Sequence, residues 1–247
     1  MQEPLLKLDD VHKWYGSVHA LRGVNFSIYP AECVALLGDN GAGKSTLVKI
    51  IAGFITMDKG TIHWRGQIVN ISSVRDATKL GIETVHQTLS IVPQLSVAQN
   101  IFLGREEVKA FGPFKFIDEK KMSDKASDIL HSLRLNVAPD REVEFCSGGE
   151  RQGVAIARAM QFKAELVILD EPTTALSVSG VEKVLNFING LKEQRISSIF
   201  ISHNMRQLLK VADRFTIMSH GLITHVIERE EATEEKLVDL QLSGRNF

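Results

Sequence analysis

The sequence predicts an α/β fold with a mostly helical insert near residues 88–160, and three observations support this prediction. Continuous apolar runs at residues 33–37 and 166–169 are typical of strands that are covered on both faces. A glycine-rich turn and a helical segment follow the first run, and strand and helix patterns alternate along the chain. Helix-forming and charged residues dominate much of the segment between the two runs.

The first third of the chain is predicted to consist mainly of strands. Residues 5–15 form a strand that ends in a turn at Gly16, and residues 24–28 alternate between apolar and polar side chains, as in a half-buried strand. Residues 61–71 have the pattern of a hairpin. A helix is expected only at residues 45–52, directly after the glycine-rich turn.

Amphipathic helices and short strands are predicted for the rest of the chain. Met122, Ala126, Ile129, Leu130 and Leu133, for example, recur at helical spacing. The predicted elements are helices at 118–135 and 147–160, a strand at 166–169, a helix at 181–191, a strand at 198–201, a hairpin at 214–227 and a helix at 233–242.

Composition and charge exclude several classes of protein. The 247 residues include 29 Lys and Arg against 30 Asp and Glu, which gives a formal net charge of −1. A near-neutral chain argues against nucleic acid as the main partner, because phosphate backbones are usually bound by basic surfaces. Cys33 and Cys146 are too few for a disulfide framework and lack metal-site spacing, so a reducing, cytosolic compartment is expected.

No targeting segment or membrane-spanning segment is predicted. The first residues lack a cationic stretch followed by an apolar one. No apolar run approaches the ~18 residues that a spanning helix requires. The chain is therefore expected to be a globular protein that does not itself cross a membrane.

Residues 38–45 match the pattern G-x-x-x-x-G-K-[ST], and a predicted strand precedes the match while a helix follows it. The glycines allow backbone N–H groups to surround a phosphate chain, and the helix N-terminus adds a partial positive charge. Lys44 is predicted to bridge the β- and γ-phosphates, and Ser45 to ligate Mg²⁺. The alternative, a simple glycine-rich turn, is disfavoured by the flanking strand and helix.

Two carboxylates, Asp170 and Glu171, end the apolar strand at residues 166–169. Asp170 is predicted to hold Mg²⁺, directly or through water, and Glu171 to polarise the attacking water as a general base. Alone, the pair would be interpreted as a solvated strand end before Pro172. Together with a phosphate loop it predicts hydrolysis, which requires a metal ligand and a group that orients water.

A second helix N-terminus carries the run Ser147-Gly148-Gly149-Glu150. Ser147 and Glu150 have the spacing of a capping box. The Ser147 hydroxyl and the glycine amides also suit a second phosphate-binding helix N-terminus. Both interpretations can hold, because a carboxylate that folds back on the cap leaves the other amides free.

These motifs resemble those of the nucleotide-binding subunits of ABC transporters, and the resemblance covers essentially the whole chain from Leu5 onward. It implies a P-loop NTPase core with an N-terminal antiparallel β-subdomain and a helical ABC insert, in a single domain over residues 1–247. Residues 1–87 and 161–247 would form the catalytic core with the β-subdomain. Residues 88–160 would form the helical subdomain that carries the signature motif.

The resemblance also implies the residues of the site. Gln87 occupies the Q-loop position, His203 the switch-histidine position, and Tyr15 the position of the aromatic residue that stacks on adenine. The implied catalytic residues are Glu171, His203 and Gln87, and the implied Mg²⁺ ligands are Ser45, Gln87 and Asp170. The implied ATP-binding residues are Tyr15, Gly38, Asn40, Gly41, Ala42, Gly43, Lys44, Ser45, Thr46, Ser147, Gly148 and Gly149.

In such proteins two subunits dimerise head-to-tail, so each ATP would contact Lys44 and Ser45 of one chain and Ser147 and Gly149 of the other. The resemblance implies transmembrane permease subunits as partners, a solute-binding protein indirectly, and no nucleic acid. It implies a cytoplasmic subunit, peripheral on the inner face of the plasma membrane. Residues 86–106 and 153–160 are most similar to those of ribose-type monosaccharide importers.

Three positions depart from the family pattern. Cys146 replaces the usual Leu before the signature, where it is expected to pack as a small hydrophobe. Glu150 replaces the commoner Gln. Ser177 replaces the D-loop aspartate; it is expected to cap the following helix, but the missing charge puts communication between the two ATP sites in question.

Three alternatives stay open from the sequence. The importer could serve another small solute. A soluble ABC ATPase of translation or DNA repair usually has paired cassettes or coiled-coil inserts, which this sequence lacks. A GTPase or small-molecule kinase would have no use for residues 147–149, and a guanine-reading Asn-Lys-x-Asp run is absent.

Overall fold

A computed structural model describes residues 3–85, 91–112, 114–133, 135–161, 164–174 and 176–244. The elements alternate between strands and helices along the chain. In order they are β1 Leu6–Tyr15, β2 Val18–Ile28, β3 Cys33–Gly38, α1 Lys44–Ile51, β4 Lys59–Trp64, β5 Gln67–Val69, α2 Val74–Lys79, β6 Ile82–Val85, α3 Val97–Phe102, β7 Val108–Phe111, β8 Phe114–Ile117, α4 Glu119–Ser132, α5 Gly148–Gln161, β9 Leu166–Asp170, α6 Val178–Glu193, β10 Ser197–Ile201, α7 Met205–Val211, β11 Arg214–Ser219, β12 Leu222–Glu228 and α8 Glu234–Ser243.

A six-stranded sheet forms the centre of the molecule, with the strand order β12-β11-β3-β10-β9-β6. Neighbours from β11 to β6 pair in parallel, and only β12 is antiparallel, as the second strand of a hairpin with β11. Parallel strands need long crossovers, and here the crossovers carry the helices. The α/β prediction is therefore confirmed.

Strand β3 shows why the central strands are mostly apolar. All six of its residues are buried. Val34 and Leu36 pack into one core, and Ala35 and Leu37 pack into a second core on the opposite face. A strand buried on both faces favours apolar residues throughout, and the buried polar residues of the sheet include small ones, such as Ser198 of β10.

The N-terminal antiparallel sheet, with the order β2-β1-β4-β5, covers one face of the central sheet. Leu6, Leu8 and Leu21 of this sheet share a core with Leu47 and Ile50 of α1. The predicted antiparallel β-subdomain is thus confirmed. Strand β2 begins six residues earlier than the half-buried pattern indicated. It is joined to β1 by a two-residue turn and pairs with it as a hairpin.

Helices α3 to α7 contribute to the core on the other face of the central sheet. Met122, Ala126 and Leu130 of α4 are buried there, at the spacing read from the sequence. The segment predicted to be mostly helical also contains a hairpin, because β7 and β8 pair between α3 and α4.

The unpredicted elements are short. Strand β6 has four residues, α2 and α3 have six each, and α7 has seven, too few to establish a helical or strand period. The expectation of a single helix in the first third was therefore wrong, because α2 is a second one. Capping is the signal that remained for α3: the Ser96 hydroxyl accepts from the Gln99 N–H, and the Gln99 side chain accepts from the Ser96 N–H.

Candidate active site

The carboxyl ends of neighbouring parallel strands bring the predicted residues to one edge of the sheet. Leu36, Ile201 and Asp170 lie side by side in the register of β3, β10 and β9. The phosphate loop follows β3, Glu171 follows β9, and His203 follows β10 by two residues. In open α/β sheets this edge is the usual location of ligand sites.

The phosphate loop leads directly into α1. Gly43 is the N-cap with φ +106°, and no side chain caps the helix. The first turn also contains no acidic residue. The N-terminal amides and the helix dipole are therefore presented to an anion rather than to a side chain.

Lys44 lies folded over its own loop. Its ammonium donates to the carbonyl oxygens of Gly38 at 2.6 Å and Asp39 at 3.0 Å. Burial lowers the pKa of Lys44, while the carboxylates of Glu171, Asp39 and Asp170 oppose that shift. These carboxylates are thus near enough to act on Lys44, and the ammonium can exchange its carbonyl partners for phosphate oxygens.

Gly38 is required by the close approach of a neighbouring strand. A Cβ at this position would lie 2.3 Å from the Met218 carbonyl oxygen, and φ is +149°. We expect Gly38→Ala to lower the free energy of unfolding by about 1–3 kcal/mol and to weaken ATP binding, because the loop must shift. Urea denaturation and nucleotide titration measure the two effects.

The matched control is Gly190→Ala in α6, where an added Cβ has no atom within 4 Å. Alanine has the higher helix propensity, so this variant should unfold at an equal or higher urea concentration and bind ATP normally. Equal behaviour of the two variants would contradict the packing explanation.

A cavity of about 530 Å³ lies over the loop, a size suited to a small ligand. Tyr15 lines it at one side and is 47% exposed. The loop residues that line it are Asp39, Asn40, Gly41, Ala42, Gly43, Lys44, Ser45 and Thr46, whereas Gly38, which was predicted with them, is not among the lining residues. The predicted aromatic residue and the predicted phosphate loop therefore share one cavity.

His19, Arg22 and His220 also line this cavity, and the sequence analysis missed them. His19 and Arg22 lie on β2, which returns beside Tyr15 after the turn. His220 lies in the turn between β11 and β12. These strands form the hairpin that was predicted at residues 214–227. The pairing of these hairpins was the signal that could have identified them.

Glu171 and His203 face each other across the ends of β9 and β10. His203 Nε2 lies 3.4 Å from Glu171 Oε1. Glu171 has a positive φ of +51°, a strained conformation that is held by hydrogen bonds from the Glu171 N–H to the Ile201 carbonyl and from the Thr174 hydroxyl to Glu171 Oε2. Glu171 is thereby held at the ends of β9 and β10, with its carboxylate beside His203.

Thr173 and Gln207 join this pair from outside the predicted set. The Thr173 hydroxyl donates to Gln207 Oε1 at 2.6 Å. This bond ties the segment after Glu171 to α7, the helix that follows His203. No sequence motif indicated the contact, because its two residues lie 34 positions apart.

Ser45 and Asp170 supply a hydroxyl and a carboxylate, the oxygen donors that Mg²⁺ prefers. The described residues contain no cluster of three or more His, Cys, Asp or Glu side chains able to hold a metal. Mg²⁺ usually takes one or two carboxylates together with substrate phosphates and water, and Asp170 and Ser45 are donors of the kind it takes. Gln87, the third predicted ligand, lies outside the described residues.

The run Ser147-Gly148-Gly149 opens α5, and the predicted capping box is confirmed. The Glu150 side chain accepts from the Ser147 N–H at 2.8 Å, and the Ser147 hydroxyl accepts from the Glu150 N–H at 3.3 Å. A Cβ on Gly149 would lie 2.9 Å from Gly180 Cα, so α5 and α6 touch here. These signature residues are not among those lining the cavity over the phosphate loop.

Two of the departures from the family pattern, Cys146 and Ser177, take the expected structural roles. Cys146 is buried and belongs to the larger core, and burial raises the pKa of its thiol. Ser177 is the N-cap of α6, where its hydroxyl accepts from the Gly180 N–H at 3.3 Å. Both substitutions are therefore accommodated by the fold.

Comparison with known proteins agrees with this geometry. A family model described as ABC transporter matches residues 21–174, more than half of the chain. The xylose/arabinose import ATP-binding protein XylG of Sulfolobus acidocaldarius is 43% identical over 97% of this chain and 94% of that protein. The ribose import ATP-binding protein RbsA of Caldanaerobacter subterraneus subsp. tengcongensis is 41% identical over 99% of this chain, which spans 49% of that longer protein.

Solved structures show the same fold. A nucleotide-free ATP-binding cassette from an ABC transporter has a TM-score of 0.82 and 26% identity, over 98% of this chain and 96% of that one. An ATP-binding cassette in its ADP conformation has a TM-score of 0.83 and 26% identity, over 98% and 99%. The fold and the site thus define a P-loop ATPase. The chain belongs to the ABC transporter family, as one of its nucleotide-binding ATPases.

Proposed function

We propose that this chain is the ATP-hydrolysing subunit of an importer for monosaccharides. The observation that carries the hydrolytic part is the convergence of Lys44, Asp170 and Glu171 at one sheet edge, with His203 3.4 Å from Glu171. Phosphate binding, metal binding and water activation are thereby available within one small region.

Each residue has a role that its position supports. Lys44 and the amides of residues 41–46 hold the phosphates, and Tyr15 stacks on the base. Ser45 and Asp170 would hold Mg²⁺, which would neutralise charge on the phosphates when bound, and Gln87, outside the described residues, is proposed as a further ligand. Glu171 takes a proton from the attacking water as general base, and His203 orients the groups beside it.

The signature residues act in the second subunit of a dimer. Ser147 and Gly149 begin a helix of 14 residues whose N-terminus suits an anion. The cavity over the phosphate loop takes its lining from other parts of the chain. A head-to-tail pair would bring each signature to the partner's phosphate loop, so that two ATP molecules are enclosed and closure transmits force.

The proposals of sugar import and of the partners rest on the relatives. XylG and RbsA are named import ATP-binding proteins for pentoses, and this chain covers nearly the whole length of the first. We assign transmembrane permease subunits as direct partners and a solute-binding protein as an indirect one. No helix among the described residues has the length and apolar character needed to span a bilayer. The chain would therefore sit on the inner membrane face through the permease, as one cassette with its helical subdomain at residues 88–160.

Purification of the tagged chain from its native membranes tests this proposal. We expect a polytopic membrane protein to co-purify in a fixed ratio, and ATP to be hydrolysed in strong preference to GTP. Recovery of ribosomes in place of a membrane protein would favour a soluble ABC ATPase of translation. A preference for GTP would contradict the proposed chemistry.

A further inference from the structure

The β7–β8 hairpin is the most apolar exposed feature among the described residues. All eight residues of its two strands are exposed. Five of them are large and apolar: Val108, Phe111, Phe114, Phe116 and Ile117. A lone two-stranded hairpin is at best marginally stable in water, and an apolar cluster of this kind marks an interaction surface.

The tip of the hairpin is aromatic, and two lysines lie behind it. Phe111 and Phe114 pair at the tip and are 77% and 64% exposed. Lys115 lies one ladder position behind the tip, opposite Ala110, and Lys109 lies two positions behind it. At a rise of about 3.3 Å per residue, the Cα atoms of the two lysines lie roughly 3–7 Å behind the aromatic tip.

The charges on the hairpin have one sign. Lys109 and Lys115 are its charged residues among positions 108–112 and 114–117, and neither pairs with a carboxylate in the described part of the chain. The two acids that flank the hairpin are engaged by other groups: Glu107 by Lys121 at 2.8 Å and also by Lys125, and Asp118 by the Lys121 N–H at 3.2 Å. The hairpin therefore presents uncompensated positive charge behind an aromatic tip.

We propose that the β7–β8 hairpin inserts its tip into an anionic lipid surface. Interfacial segments bury their apolar part about 5–10 Å into the headgroup boundary, and the exposed tip pair Phe111 and Phe114 is the part of the hairpin that would enter. Lysines at headgroup level attract acidic lipids, and their long stems reach toward water. This contact would orient the ATPase on the membrane in addition to its permease, and it does not depend on the sugar carried.

A lipid surface fits better than a protein groove or a second copy. Apolar side chains project on both faces of the hairpin: Phe111, Phe114 and Phe116 on one, Val108 and Ile117 on the other. The Val108–Ile117 pair lies three ladder positions behind the tip, beyond both lysines. An apolar groove that covered the whole hairpin would bury the lysines as well, whereas insertion of the tip alone leaves them at headgroup level. Pairing with a second copy of the hairpin would place the lysines of the two copies together, which is unfavourable.

Flotation of the full chain with vesicles tests the proposal without permease. The vesicles are phosphatidylcholine, with or without phosphatidylglycerol. We expect preferential binding to the anionic vesicles that weakens as salt increases. Phe111→Ser/Phe114→Ser should reduce binding about tenfold or more. Lys109→Gln/Lys115→Gln should reduce it about fivefold per lysine, on anionic vesicles only.

The matched control is Ile68→Ser/Val226→Ser, which removes two exposed apolar side chains outside the hairpin and should leave binding unchanged. All variants should retain ATPase activity, which verifies their folding. A second measurement uses Phe114→Trp, whose fluorescence should be quenched by brominated lipid, whereas that of Ile68→Trp should not.

Absence of wild-type binding to anionic vesicles would overturn the proposal, as would unchanged binding by the hairpin variants. Loss of self-association, or loss of permease binding, in hairpin variants that still bind vesicles would also overturn it. Loss of self-association would assign the surface to a second copy of the chain, and loss of permease binding would assign it to a protein partner.

Discussion

Replacing Glu171 by Gln is expected to reduce the turnover of ATP by about 10²–10⁴-fold while ATP binding persists. The amide keeps the shape of the carboxylate but cannot accept the proton of the attacking water. Glu171 follows Asp170 at the end of β9, has a positive φ, and its carboxylate contacts His203. Steady-state hydrolysis and nucleotide titration on the same preparation measure the two properties.

Glu182→Gln is the control, because it makes the same chemical change at an exposed position on α6. It should leave both turnover and binding unchanged. Near wild-type hydrolysis by the Glu171 variant would remove Glu171 from the role of general base. A loss of ATP binding equal to the loss of turnover would instead indicate a structural role for this residue.

A purified heterodimer of a Lys44→Ala chain and a Ser147→Arg chain is expected to regain activity that neither variant has alone. If each ATP site combines the phosphate loop of one chain with the signature of the other, both lesions meet in one site and the second site is intact. Each variant homodimer has two damaged sites. A random equal mixture should therefore reach about one quarter of wild-type hydrolysis.

Placing both substitutions in one chain and pairing it with a wild-type chain gives the matched control. In that heterodimer each site carries one lesion, so shared sites predict no activity. Sites contained within one chain predict the reverse outcome, with an active control and an inactive test heterodimer. Two affinity tags separate the heterodimers from the homodimers before hydrolysis and ATP binding are measured.

Much of the fold was predictable because burial leaves a clear record in the sequence. Residues 33–37 and 166–169 are apolar throughout because helices or a second sheet cover both faces of their strands. The β7–β8 hairpin was not predicted, because the helical pattern of the residues around it led to the prediction of a mostly helical segment. The local run Phe-Gly-Pro-Phe between short apolar segments was a turn signal that indicated the hairpin.

The site was predictable where chemistry requires consecutive residues. The phosphate loop, the paired carboxylates and the Ser147–Glu150 cap each depend on a local spacing. Gln207 depends on a contact with Thr173, 34 positions away, which no local pattern records, whereas His19 and Arg22 lie on β2, which pairs with β1 across a two-residue turn. Ser177 shows the intermediate case, since its capping role was predicted from type and position and is confirmed at the start of α6.

ATP-driven uptake of a labelled pentose into proteoliposomes tests the central claim most directly. The vesicles would contain the co-purifying permease, with its solute-binding protein outside and this chain with ATP and Mg²⁺ inside. We expect the pentose to accumulate only with ATP, and Glu171→Gln to abolish this accumulation. Accumulation without ATP, or full uptake with the Glu171 variant, would contradict the claim that this chain energises sugar import.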